Sequence, residues 1–386
     1  MNNTQEYYDV VIVGGGIVGA TLAITLAKSN FSVMLIDKHY CNTVFNQTKP
    51  DVIVSALNCT SVDLLRRLQV WHKIGDYFCV PYRKIYIWED HSSEVVFNAA
   101  SINLPEIGFI IENWRIKKAL WQILCSCDKL KLCCPAEIKT MQYHNSYWKL
   151  ILNNGNKVTN RLLIGADGAN SKVRQNIGIA VSGWEYRQSC MMLSAEIEID
   201  QNNCIWQIFT PTGPRACLPL YNKWASLIWY DSLSRIRQLQ KLTLSSLTYE
   251  VMASFPGRIG IIKLHDIASF TFTRRHASDY VRPGLALIGD AAHTIHPLGG
   301  QGVNLGLSDA KVLAEVLINA REKNKSWYEL NVLSSYELQR RCHNLLIQTG
   351  MDLFYKTFSN NILPLKIARN IGLMLAQRAD FIKKIF

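Results

Sequence analysis

Two glycine-rich segments carry the residues best suited to chemistry. One is Gly14-x-Gly16-x-x-Gly19. The other, far downstream, is Gly289-Asp290-Ala-Ala-His293-Thr-Ile-His296-Pro297-Leu-Gly-Gly300-Gln-Gly302-Val-Asn304. A glycine turn lets backbone N–H groups approach an anion, and a helix N-terminus behind it favours negative charge. Two such segments so far apart suggest one long ligand gripped at both ends, as a dinucleotide would be.

The elements that must position the first segment follow from local pattern. Tyr8-Asp-Val-Val-Ile-Val13 is apolar and β-branched, and reads as a buried strand. Ala20 to Ala27 reads as a helix. In this strand–turn–helix setting Gly14 permits the tight turn, Gly16 admits a pyrophosphate, and Gly19 lets helix and strand pack closely. Phe31 to Ile36 is the next strand, and Asp37 ends it. A carboxylate there accepts ribose hydroxyls and repels a 2′-phosphate, so the ligand is FAD-like or NAD-like. A glycine turn that binds nothing is the alternative.

Leu162-Leu-Ile-Gly-Ala-Asp167-Gly168 and Leu285-Ala-Leu-Ile-Gly289-Asp290 repeat the theme of an apolar strand ending near an aspartate. An ordinary Asp-Gly turn also accounts for Asp167 and Gly168. Asp290 is placed to bind a polyol hydroxyl such as flavin ribitol. Pro297 stiffens the next loop. Gly299, Gly300 and Gly302 leave room for a flat ring against backbone. From about Val303 the pattern is helical, and that N-terminus would favour negative charge on a reduced ring.

These three motifs, in this order, resemble the FAD-dependent aromatic hydroxylases, the single-component class of para-hydroxybenzoate hydroxylase. Trp206 to Leu220, Trp224 to Asp231, and Gly350-Met-Asp-Leu-Phe354 with Asn360-Asn361 further resemble the ubiquinone-biosynthesis hydroxylases. The similarity covers essentially the whole chain. It implies an α/β fold: a Rossmann-like FAD-binding domain, a mixed β-sheet substrate domain and C-terminal helices. It implies FAD, with NAD(P)H as a transient co-substrate. It implies ring hydroxylation by dioxygen, through a flavin hydroperoxide, of a polyprenylated benzoquinol such as 2-polyprenyl-3-methyl-6-methoxy-1,4-benzoquinol. The implied cofactor contacts are Gly14, Gly16, Gly19, Asp37, Asp167, Gly168, Gly289, Asp290, Pro297, Gly300, Gly302, Val303 and Asn304. Of these, Pro297 and Gly302 would border the reacting oxygen. These relatives usually carry a cofactor-contacting arginine after Asp51, where this chain has Ile53; Lys49 is the nearest cation. A sibling hydroxylase acting at another ring position, another flavin reaction such as prenyl-chain reduction, and a membrane-associated assembly subunit with weakened flavin chemistry are the alternatives.

The remaining sequence sets bounds. A chain of 386 residues, 48% hydrophobic, is globular and long enough for two cores. The expected FAD-binding domain is discontinuous, over 1–75, 105–175 and 280–345. The expected substrate domain comprises 76–104 and 176–279, and 346–386 is a C-terminal helical segment. In the substrate domain Trp206, Phe209, Trp229 and Tyr230 either line an apolar pocket or form sheet core. Arg215 either orients a substrate oxygen or makes a structural salt bridge. The net charge of +12 comes from 42 basic and 30 acidic residues, scattered and without a nucleic-acid motif. Eleven cysteines read as reduced thiols. Their spacing, and that of His293 and His296, does not suggest a metal site. There is no run of 18 apolar residues and no signal-peptide pattern, so the expected location is cytoplasmic. The basic C-terminal stretch, with Ile367, Ile371 and Leu375 at helical spacing, suits either the inner face of the cell membrane or packing on the flavin domain. Membership of a ubiquinone-biosynthesis complex is a further expectation.

Overall fold

The computed structural model describes residues 6–41, 49–89, 94–296 and 300–358. Val10, Val11 and Ile12 are wholly buried in the strand Glu6–Val13. A continuous apolar run suits a parallel strand covered on both faces. The strand pairs in parallel with Lys157–Gly165 on one side and Val33–Ile36 on the other. Leu285–Leu287 extends the sheet in parallel beyond Lys157–Gly165, and Leu130–Cys133 does so beyond Val33–Ile36. Register puts Val13 opposite both Gly165 and Ile36, and Leu287 opposite Gly165. The C-terminal ends of these strands therefore share one edge. Every candidate cofactor turn springs from that edge.

The helix Ile17–Lys28 covers this sheet and packs on the helix Gln301–Glu322. Their approach is set by small residues. A Cβ on Gly306 would lie 2.5 Å from Val18 Cγ2, and one on Gly19 would lie 2.0 Å from the Gly14 carbonyl oxygen.

A second eight-stranded sheet runs in the order His293–Thr294, Ile262–Ala277, Val181–Ile197, Trp224–Ser232, Arg215–Pro219, Cys204–Ile208, Lys84–Trp88 and Val95–Asn98. One face carries Met191, Leu193, Trp206, Leu227 and Trp229 against Ile236, Leu239, Leu247 and Val251 of two short helices. The other face carries Cys190, Met192, Ala216, Tyr230 and Phe272. That face meets Val54, Tyr82 and Ile110 of a three-stranded sheet built from Val54–Asn58, Gly108–Glu112 and Val80–Tyr82.

The expected divisions shift in two places. His293–Thr294, inside the second glycine segment, pairs with Ile262–Ala277 and so belongs to the second sheet. The boundary expected at 346 falls within one continuous helix, Leu330–Phe358. That helix reaches from the core of the parallel sheet, through Leu333 and Tyr336, to the second sheet. Residues 359–386, including the basic stretch, lie outside the described residues.

Replacing Gly306 with valine should cost about 1–3 kcal/mol by overpacking against Val18. Urea denaturation is expected to show that loss, and Val18→Ala in the same chain to restore part of it. Undiminished stability of the single variant would contradict the packing argument.

Candidate active site

The first turn is built by its neighbours as much as by its glycines. Gly14 has φ of 108° and leaves no room for a Cβ beside the Ala166 carbonyl. Gly16 caps the helix Ile17–Lys28, and a Cβ there would meet no protein atom. The cradle is thus open where a phosphate would lie. Asp37 ends its strand as expected, and its carboxylate accepts from the N–H of Gly15 at 2.5 Å and of His39 at 2.8 Å. Trp121 Nε1 donates to the Gly15 carbonyl at 2.8 Å.

The second and third turns are tied together. Arg174 is buried; it donates to the Ala169 carbonyl at 3.0 Å and the Ala291 carbonyl at 2.8 Å. Asp167 Oδ2 accepts from the Val173 N–H at 3.1 Å, whereas its buried Oδ1 has no partner among the described residues. Gly168, with φ of 80°, has open space where a Cβ would point. Asp290 is exposed on its turn. Desolvation raises its pKa, His293 offsets part of that, and Asp309 adds to it.

The third turn is anchored from below by Asp309, which is fully buried. Its Oδ2 accepts from the Gly289 N–H at 3.0 Å and lies 2.5 Å from His293 Nε2. Its Oδ1 accepts from Arg340 Nε at 2.7 Å and Asn344 Nδ2 at 3.1 Å. Burial alone would raise this carboxyl, but His293 and Arg340 outweigh it and hold the pKa at about 2.

Gly300, with φ of 63°, caps the helix Gln301–Glu322, and Gly302 and Val303 form its first turn. A Cβ on Gly302 would meet no protein atom. The Asn304 side chain is occupied within the protein: it donates to the Ala56 carbonyl at 2.9 Å and accepts from the Asn58 N–H and the Ser61 hydroxyl. It fixes the helix start against the strand Val54–Asn58. Ile53, just before that strand, is exposed, as is Lys49. Pro297 lies outside the described residues.

On the substrate side, Arg215 and Trp229 take the structural one of the two readings, salt bridge and sheet core. Arg215 and Trp229 sit on the sheet face packed against the short helices. Arg215 pairs with Asp231 at 3.0 Å, donates to the Tyr230 carbonyl at 2.5 Å, and stacks 4.6 Å from the Trp229 ring. Trp206 shares this core, whereas Phe209 packs with Val95 in a separate small cluster. Strand alternation puts Tyr230 on the opposite face, towards the three-stranded sheet. There Tyr186, Tyr230, Phe272 and Tyr355 surround His296, with ring centroids 4.7, 5.7, 4.9 and 4.8 Å away. This aromatic wall adjoins the Gly300 loop through the chain itself. Burial holds the His296 imidazole down at about 3.

Sequence reasoning missed Trp121, Arg174, Asp309, Arg340 and Asn344. The available signal was an isolated charge on an otherwise apolar helix face, as Asp309 is beside Leu305 and Leu313. Among the described residues no group of three or more His, Cys, Asp or Glu could hold a metal ion. The open cradle at Gly16 and the unpartnered Asp167 Oδ1 fit FAD.

His296 supplies a pH test. Its folded pKa lies below the unfolded value of about 6.5, so its burial adds stability above that pH. The contribution is lost as pH falls from about 6.5 towards about 3. His296→Phe should flatten this dependence, by up to about 1.4 kcal/mol per pH unit. Urea denaturation at pH 7 and pH 5 measures it; parallel losses in both proteins would contradict the assignment.

Comparison with known proteins shows the family and the fold. The FAD binding domain family matches residues 7–344. Over 381 residues, 99% of this chain and 97% of the relative, it is 46% identical to the 3-demethoxyubiquinol 3-hydroxylase of Escherichia coli (strain K12). It is 30% identical to the ubiquinone biosynthesis monooxygenase COQ6, mitochondrial, of Rattus norvegicus, over 99% of this chain and 90% of that one. The p-nitrophenol 4-monooxygenase PnpA of Pseudomonas putida DLL-E4 shares the fold, with a TM-score of 0.80 at 17% identity, covering 98% of this chain and 96% of that one. The chain belongs to the FAD binding domain family, among the ubiquinone-biosynthesis hydroxylases, and is an FAD-dependent monooxygenase.

Proposed function

We propose that this monooxygenase hydroxylates the ring of 2-polyprenyl-3-methyl-6-methoxy-1,4-benzoquinol, with NAD(P)H as reductant. The observation that carries the reading is the full-length likeness to hydroxylases of the ubiquinone pathway. The overall change balances as quinol, dioxygen, NAD(P)H and a proton giving hydroxylated quinol, NAD(P)+ and water.

FAD, when bound, supplies the redox chemistry, accepting hydride from the nicotinamide and activating dioxygen. The chain's own residues bind, orient and exclude water. In this reading Gly14, Gly16 and Gly19 and the first helix's N-terminus hold the pyrophosphate. Asp37 receives ribose hydroxyls, and Asp167, Gly168, Gly289 and Asp290 line the path to the ring. Gly300 and Gly302 let the ring lie against backbone, with Pro297 at its rim. The helix N-terminus, the turn Gln301 to Asn304, favours negative charge there. The aromatic wall around His296 excludes water from the electron-rich substrate ring. Tyr230, whose hydroxyl burial keeps protonated, offers a donor on that wall. Contact with a membrane surface, where a polyprenyl quinol resides, and membership of a biosynthetic complex belong to the same proposal.

The test is turnover of FAD-loaded protein with the quinol, NAD(P)H and isotopically labelled dioxygen. Mass spectrometry should find one labelled oxygen atom on the ring, and fragmentation gives its position. NAD(P)H oxidation that yields only hydrogen peroxide would overturn the substrate, and a label at another ring position would favour a sibling reaction.

A further inference from the structure

The helix Leu330–Phe358 has two unlike sides. Its inner side grips the site. Gln348 donates to the Arg275 and Thr294 carbonyls at 2.9 Å, Asp352 accepts from Tyr186 and pairs with Arg274 at 3.0 Å, and Tyr355 stacks on His296. Its outer side is apolar. Leu338, Cys342, Leu345, Leu346, Thr349 and Leu353 recur at steps of three and four residues, which places them along one side. All are exposed: Leu338 and Leu346 are 70% accessible and Leu353 67%.

Along the helix from Leu338 onward the exposed charges are basic. From Leu338 to Phe358 the only acidic side chain is Asp352, which is buried in its ion pair. Arg341 and Lys356 are exposed on the helix. At its end Trp184 is 40% accessible and lies beside Lys356 and Arg274. An exposed tryptophan beside an exposed lysine at the end of an apolar stripe is the composition of a face that lies in an anionic lipid interface. A rival apolar patch, Leu244, Tyr249 and Met252 on Leu244–Ser254, has no Lys or Arg on its helix, and the Glu250 in its midst is paired with Arg235.

We propose that the outer side of Leu330–Phe358, together with Trp184, docks the enzyme on an anionic membrane surface. Among the described residues no helix is long and apolar enough to cross a membrane, so the contact is peripheral. It sets the headgroup layer about one helix diameter, about 10 Å, from His296. A ring carried on a lipid tail then has a short path to the aromatic wall. The need for that path rests on the proposed substrate; the docking face itself does not.

The test is co-sedimentation of the full FAD-loaded chain with phosphatidylcholine vesicles, with and without phosphatidylglycerol. Wild type should bind the anionic vesicles, and less so at high salt. Leu346→Glu combined with Leu353→Glu should weaken binding about ten-fold or more. It should leave hydroxylation of a short-tailed soluble quinol unchanged. Met252→Glu should bind as wild type. Undiminished sedimentation of the double variant, or equal loss in Met252→Glu, would overturn the proposal. So would light scattering that shows a wild-type dimer split by the double variant, since the stripe would then join two copies. Failure of the substrate reading is separately visible as wild type that binds vesicles but hydroxylates no quinol.

Discussion

Asp309 is the constraint on which the rest of the site depends. Three other parts of the chain converge on its carboxylate: the Gly289 turn, the His293 edge strand, and Arg340 and Asn344 of the long helix. A buried charge is tolerated only when it is paired and hydrogen-bonded, and here both oxygens are. His293 and Arg340 together outweigh its burial and hold its pKa below the usual carboxylate range. Its placement couples the parallel sheet to the second sheet, because His293 is at once a partner of Asp309 and an edge residue of that second sheet.

Around this node the two sheets do different work. Parallel register brings the Gly14, Asp37, Asp167 and Gly289 turns to one edge, where an extended ligand can run from turn to turn. The second sheet contributes an apolar wall, and His296 is the hinge between the two. It belongs to the glycine loop by sequence and to the wall by packing. The long helix closes the arrangement from outside through Gln348 and Tyr355.

The sequence made the cofactor side legible because that information is local. A strand, a glycine turn and a helix follow one another at Val13 to Ile17, and at Leu285 to Asp290 an aspartate follows a strand by three residues. The substrate side was not legible in the same way. Trp229 and Tyr230 are neighbours and both are buried, so apolar character could not tell which packs on the short helices and which on the three-stranded sheet. That depends on what covers each face, and the covering elements come from distant sequence. Arg215 looked available for substrate, but Asp231 and backbone carbonyls occupy it. Asp309 escaped notice for the same reason: its partners lie on segments that only the fold brings together. The continuous helix across residue 346 was hidden because its buried side carries Arg340, Asn344, Gln348 and Asp352 while its exposed side is apolar, the reverse of the usual pattern.

The most direct measurement is the FAD content and FAD dissociation constant of Asp309→Asn beside wild type, with circular dichroism to establish that both are folded. Asparagine keeps the shape but not the charge that orients Gly289, His293 and Arg340. Folded variant protein with FAD affinity reduced about ten-fold or more, against near-stoichiometric FAD in wild type, is the expected result. A folded variant that holds FAD as tightly as wild type would contradict the claim that this one carboxylate sets the geometry of the site.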